Sequence, residues 1–243
     1  MVILIGSAFG ALAAFLQVSS TDTAGAFGSP GAHALTMTTG KIFTYFMVML
    51  GPMKLVGPYL KIAAGMDKAT SRKLATRGFL IACVAGFAAA FVGRNILGKW
   101  GISLGALLLA TGLVLLLIAL QAVQSQFAPA EPHPAAEASA PADVSVAHLA
   151  FSPLAFPNII PPYGSAALIL LVTANSDDRA VFRILGIFLV VMVLNLLVMW
   201  FARPIVKYGS GILTLLGAVL GVLQVALAVQ MLLVAGRMLR VVP

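Results

Sequence analysis

Charged side chains are scarce in this chain. There are 15 Lys and Arg and 7 Asp and Glu among 243 residues, 9% of the total. A soluble domain carries about 25%, and so few charges cannot cover a water-facing surface of this size. With 61% hydrophobic residues and a mean hydropathy of +1.06, the composition excludes a soluble enzyme and a disordered chain. The net charge of +8 therefore reports membrane topology rather than a nucleic-acid partner. The single cysteine, Cys83, excludes a disulfide framework and a Cys-rich metal site. The seven acids (Asp22, Asp67, Glu131, Glu137, Asp143, Asp177 and Asp178) all fall in connectors or at span edges. With none deep in a span, carboxylate proton relays, aspartyl proteolysis and carboxylate metal sites lack their residues. His33 and His133 lie in connectors, and no motif pairs His148 with a nucleophile. No enzymatic activity, cofactor or metal is expected.

Long apolar runs dominate instead. A membrane helix needs about 20 mostly apolar residues, and seven stretches qualify or come close: 1–18, 42–63, 77–97, 102–123, 149–173, 184–202 and 210–236. The runs are continuous rather than alternating, which excludes a β-barrel. The first stretch reads either as a retained helix or as a secretory segment cleaved near Ala24-Gly25-Ala26. The absence of a basic start, and its length, favour retention. Seven spans are expected, or six after cleavage. Lys61, Lys68, Arg72, Lys73 and Arg77 form a dense basic loop, which the positive-inside rule places in the cytoplasm. The C-terminus then lies on the outer, periplasmic side. Residues 124–147 are Ala/Pro-rich and carry no cation, as a linker does.

That linker separates two halves of one kind. Lys99-Trp100-Gly101 answers Lys207-Tyr208-Gly209, Gln121 answers Gln230, and Gly57-Pro58-Tyr59 answers Pro161-Pro162-Tyr163, in the same order. The pattern predicts a duplicated three-helix unit. Because three is odd, the second copy enters from the opposite side, which makes an inverted repeat. The expected divisions are 1–40 (N-terminal helix and connector), 41–123 (first repeat), 124–147 (linker) and 148–243 (second repeat). The fold class is an all-α integral membrane bundle of 3+3 inverted repeats.

The opening helix of each half is interrupted. Gly51, Pro52, Gly57 and Pro58 break the first, and Pro153, Pro157, Pro161, Pro162 and Gly164 break the second. An interior proline removes a helical hydrogen bond and clashes with the preceding turn. Paired breaks at matching positions point to a transport site, although prolines also kink helices simply for packing. Lys54 is a mid-span cation, expected to face a cavity or partner. It either receives a carboxylate or phosphate, or bonds carbonyls freed by Pro58 and snorkels along the break. The candidate solute-binding residues are Gly51, Pro52, Lys54, Pro58, Tyr59, Pro157, Asn158, Pro162, Tyr163, Gly164 and Ser165. The deep amides Asn195, Gln224 and Gln230 are expected to bond neighbouring helices. Gly101-x-x-x-Gly105 and Gly217-x-x-x-Gly221 are expected to pack helices within the bundle.

Over 41–238 the chain resembles the MarC family of bacterial inner-membrane proteins, which belongs with the LysE-type exporters. The resemblance lies in Gly51-Pro52 through Pro58, Gly101-Ile102-Ser103, Ala110-Thr111-Gly112, Pro153-Leu154-Ala155-Phe156-Pro157 and Ala228-Val229-Gln230-Met231. It implies transport of small neutral amino acids, an activity described for some members. Gly51 stands where the family has Asn or Asp, Lys54 where Gly is usual, and Pro161 and Tyr163 replace two glycines. The leading expectation is a secondary transporter or exporter of a small polar solute working by alternating access. The alternatives are an accessory membrane subunit that lost transport, and a lipid or lipid-phosphate carrier with Lys54 at the headgroup. The expected partners are the lipid bilayer, a small solute, and a membrane protein or second copy, with no nucleic acid.

Overall fold

A proline ends one helix of this chain and a left-handed glycine another. The protein is seen in a computed structural model that describes residues 38–127, 146–175 and 177–240, and these contain helices and no strand. The hydrophobic stretch 1–18, most of its connector and most of the linker lie outside the described residues. Helix α1 (Thr39–Leu50) stops at Gly51 because Pro52 offers no N–H and forces the residue before it out of helical geometry. Gly51 is extended, at φ −63° and ψ 150°. A single tight turn, Pro52–Lys54, leads into α2 (Val56–Ile62).

Asp67 caps α3 (Lys68–Trp100), its carboxylate accepting from the Ala69 and Thr70 amides at 3.0 and 3.2 Å. The helix closes at Gly101, left-handed at φ 64°. The Ile102 amide then returns to the Leu97 carbonyl at 3.1 Å, a termination that favours glycine. Ser103 caps α4 (Leu104–Phe127) through the Ala106 amide. Next, α5 (Val146–Leu149) runs into an irregular segment, Ala150–Ile159, that holds Pro153 and Pro157. Its backbone is extended at Ser152 and Phe156. The chain continues as α6 (Pro162–Thr173), α7 (Asp178–Trp200) and α8 (Ala202–Met238).

Several expectations shift. Lys68, Arg72, Lys73 and Arg77 sit on the opening turns of α3 rather than in a loop, because the Asp67 cap starts the helix early. Lys207-Tyr208-Gly209 lies inside α8 rather than before a span. Gly101 ends a helix, and a Cβ on Gly217 would meet open space, so neither packs a neighbour. Among the described residues, four helices are long and apolar enough to cross a membrane, or five spans if Val146–Ile159 and Pro162–Thr173, bent by 64°, count as one. The stretch 42–63 is cut by its break into pieces too short to span alone. Large apolar side chains point outward along these helices, Val84 at 70% exposure and Phe182 at 74% among them. Lipid accommodates such a surface and water does not.

Each half packs chiefly on the other. Helix α4 lies antiparallel to α8, with Gly105 against Leu239 and Gly112 against Leu232. Helix α3 runs parallel to the irregular segment and α6, meeting Leu154 at Gly78, Ile160 at Gly86 and Ile169 at Gly93. A Cβ at these three glycines would lie 2.7, 2.4 and 2.6 Å from its nearest neighbouring side-chain atom, so a larger residue would have to push Leu154, Phe188 or Ile169 aside. Helix α7 runs parallel to α1, with Phe188 edge-on to Phe46 at 6.1 Å and, nearer its end, Asn195 bonded to Leu50. Phe188 also meets Phe87 of α3 at 5.8 Å. At the basic end, Arg72 lies over the Trp200 ring and Arg203 donates to the Met66 carbonyl, so α3 and α7 run antiparallel.

Candidate functional site between two helix breaks

A helix that stops inside an apolar bundle leaves its last carbonyls without amide partners, a costly state away from water. Three successive carbonyls at the end of α1 are met by three side chains. Gln224 of α8 donates Nε2 to the Val48 oxygen at 2.8 Å. Lys54 donates Nζ to the Met49 oxygen at 3.3 Å. Asn195 of α7 donates Nδ2 to the Leu50 oxygen at 2.9 Å. Both amides are almost fully buried, and the Asn195 Oδ1 has no hydrogen-bond partner among the described residues. Their role is invisible to a motif search. The available signal is two deep amides on apolar helices in a chain whose first helix is broken. The carbonyl that Lys54 takes is freed by the Gly51-Pro52 break, not by Pro58.

The second bond from Lys54 crosses to the other half. Its Nζ lies 3.2 Å from the Tyr163 hydroxyl and 5.3 Å from the centroid of that ring, where the π face partly offsets the charge. A second contact lies alongside: a Cβ on Gly164 would come within 2.5 Å of Leu50 Cδ2. Gly51, Pro52 and Lys54 are thus gathered with Tyr163 and Gly164 where α6 begins. The other candidates use their polar atoms locally. Tyr59 bonds the Ser71 carbonyl at 2.8 Å and the Ser71 hydroxyl at 2.7 Å, at the start of α3. Asn158 donates to the Pro153 carbonyl at 2.9 Å and Ser165 to the Pro162 carbonyl at 2.8 Å. Pro58 lies within α2, while Pro157 and Pro162 are exposed.

The described acids Asp67, Asp177 and Asp178 are all exposed at helix starts. Lys54 therefore has no carboxylate partner among the described residues. An open groove of about 270 Å³ runs beside the second break, between Ile81, Ala85 and Ala89 of α3 and Phe151, Phe156 and Ser165. Its walls are apolar apart from Ser165, and Lys54 is not among them. Chemically, the site offers hydrogen-bond donors from an ammonium and a phenol, and it lacks a nucleophile–base pair.

No curated protein and no solved structure is detectably similar to this chain. A family model, described as MarC family integral membrane protein, matches residues 36–239, through both breaks and every described helix. With the long apolar helices, that match makes the chain a multi-pass membrane protein in contact with lipid, and it belongs to the MarC family.

Proposed function

We propose that the chain is a secondary transporter or exporter of a small polar solute, working by alternating access between residues 41–123 and 148–243. One observation carries this: the two breaks touch at the seam between the halves, through Lys54 and Tyr163 and through Leu50 and Gly164. Broken helices of this kind form the solute sites of many transporters built from inverted repeats. Helix directions support such a repeat here. The first helix of each half runs parallel to the second helix of the other, α1 with α7 and α6 with α3. Equivalent helices, α3 with α7 and α4 with α8, run antiparallel. A two-fold axis in the membrane plane relates helices in this way.

The leading solute is a small neutral amino acid, as membership of the exporter-like family suggests. The basic start of α3 supports a cytoplasmic location for that end, in a bacterial inner membrane with the C-terminus on the periplasmic side. A retained N-terminal helix makes seven spans, and no catalytic step belongs to the cycle. The test is counterflow: proteoliposomes of the purified chain, preloaded with L-alanine, should accumulate labelled L-alanine faster than protein-free vesicles. An accessory subunit that kept the fold and lost transport is the alternative. It is favoured by the way the seam groups already pair with one another and by the apolar groove beside them. Absence of flux for every solute offered, with stable co-purification of another membrane subunit, would establish it.

A further inference from the structure

Resting on the transport proposal, we infer that Lys54 makes the seam site selective for a small soluble carboxylate, which draws the ammonium away from the Met49 carbonyl and the Tyr163 hydroxyl. Lys54 is only partly buried, so some of its surface stays exposed. Its two partners are neutral and lie at 3.3 and 3.2 Å, whereas charge-assisted N–H···O bonds run about 2.7–2.9 Å. A carboxylate supplies the missing charge and shorter bonds. It also suits the neighbour: the Tyr163 oxygen accepts from Lys54 and its own hydrogen has no described acceptor, so it is free to donate to the second carboxylate oxygen. Asn195 and Gln224 remain on the Leu50 and Val48 carbonyls, which leaves Lys54 as the exchangeable one of three donors. The vacated Met49 carbonyl then takes a water or a donor of the solute. Lysine, a compact charge with three rotatable donors, fits such an exchange.

The test uses the full chain in detergent, with thermal unfolding read against four probes: L-lactate, L-alaninamide, inorganic phosphate and a short-chain phosphatidate. L-lactate should stabilise the wild type and L-alaninamide should not. The apparent lactate affinity should fall about tenfold or more in Lys54→Met and about threefold in Tyr163→Phe, and should stay near wild type in Lys54→Arg. Tyr163→Phe keeps the core volume and Lys54→Arg keeps the charge, so the pair decides the matter even if Lys54→Met does not fold. Equal lactate affinity in wild type and Lys54→Met overturns the inference. So does stabilisation by alaninamide alone, a preference for inorganic phosphate or phosphatidate, or no response to lactate. Counterflow separates the two proposals. Alanine flux indifferent to Lys54→Met removes the lysine's role and leaves transport standing, whereas Lys54-dependent lactate binding with no flux of any solute removes transport and leaves the carboxylate site.

Discussion

The Lys54 ammonium and the Tyr163 hydroxyl, 3.2 Å apart, join the two halves of the chain by a hydrogen bond between residues 109 positions apart. Lys54 lies in the turn that Pro52 opens, and Tyr163 in the first turn of α6 just after the second break, so the bond ties one break to the helix that follows the other.

Gly51 and Gly164 should differ sharply in their tolerance of alanine. A Cβ at Gly51 would sit 1.9 Å from the Met47 carbonyl oxygen, which is backbone and cannot step aside. At Gly164 the obstacle is the far end of the Leu50 side chain, which can rotate. Gly51→Ala should cost about 1–3 kcal/mol or more, and Gly164→Ala distinctly less, in detergent unfolding titrations. Gly51→Asn should be tolerated no better than Gly51→Ala.

Removing either amide should unpair a buried carbonyl. Asn195→Leu and Gln224→Leu are each expected to lower stability by about 1–3 kcal/mol, since the Leu50 or Val48 oxygen loses its donor. Asn195→Asp should be worse than Asn195→Leu at neutral pH, because it sets an acceptor against an acceptor. Equal unfolding midpoints for wild type and all three variants would refute this account of the break.

Tyr59 and Ser71 should respond asymmetrically. The Tyr59 hydroxyl reaches both the carbonyl and the hydroxyl of Ser71. Ser71→Ala keeps the carbonyl bond and should change the melting temperature little. Tyr59→Phe loses both contacts and should cost about 1 kcal/mol.

The cap at Asp67 makes one end of α3 sensitive to acid. Hydrogen bonds from Thr70, side chain first and then backbone, and from the Ala69 amide hold its carboxyl below the ordinary aspartate range. A carboxyl depressed in the folded state stabilises it above the unfolded value, and that contribution disappears as pH falls through the lower folded value. Asp67→Ala should therefore lower the melting temperature at pH 7, and the difference from wild type should hold until the pH nears the ordinary aspartate value of 3.8 and shrink below it.

Two helices, α3 and α4, separate the basic end from the linker, so both must lie on one membrane face. Single cysteines at Ala69→Cys and Ala136→Cys, in a Cys83→Ala background, should react alike with an impermeant reagent applied from either side. Opposite accessibility would break the span count.

How much was legible depended on whether a residue's role is local. Pro52, Pro153 and Pro157 act on their own backbone, so these interruptions could be located from the chain alone, whereas Pro58 is carried inside α2 without breaking it and Pro162 opens α6. Lys54 stood out because an isolated cation in an apolar run has few tolerable surroundings. Asn195 and Gln224 were harder, since a lone amide on an apolar helix does not say which neighbour it faces, and their partners lie 145 and 176 positions away. Tyr59 was grouped with the break because Tyr163 follows the matching proline. The turn of α2, however, carries Tyr59 to Ser71, a contact set by tertiary packing. The early start of α3 was hidden by its charges, which signal topology and helix surface with the same residues.

Synthesis proceeds from the N-terminus, and the end of α1 is completed by residues made much later. When the first three helices enter the bilayer, Asn195 and Gln224 have yet to be translated, so the Leu50 and Val48 carbonyls wait without their native donors. A chain stopped at the linker would carry an open helix end into lipid and be exposed to membrane quality control. Its rescue should require the second half, supplied either in sequence or as a separate polypeptide.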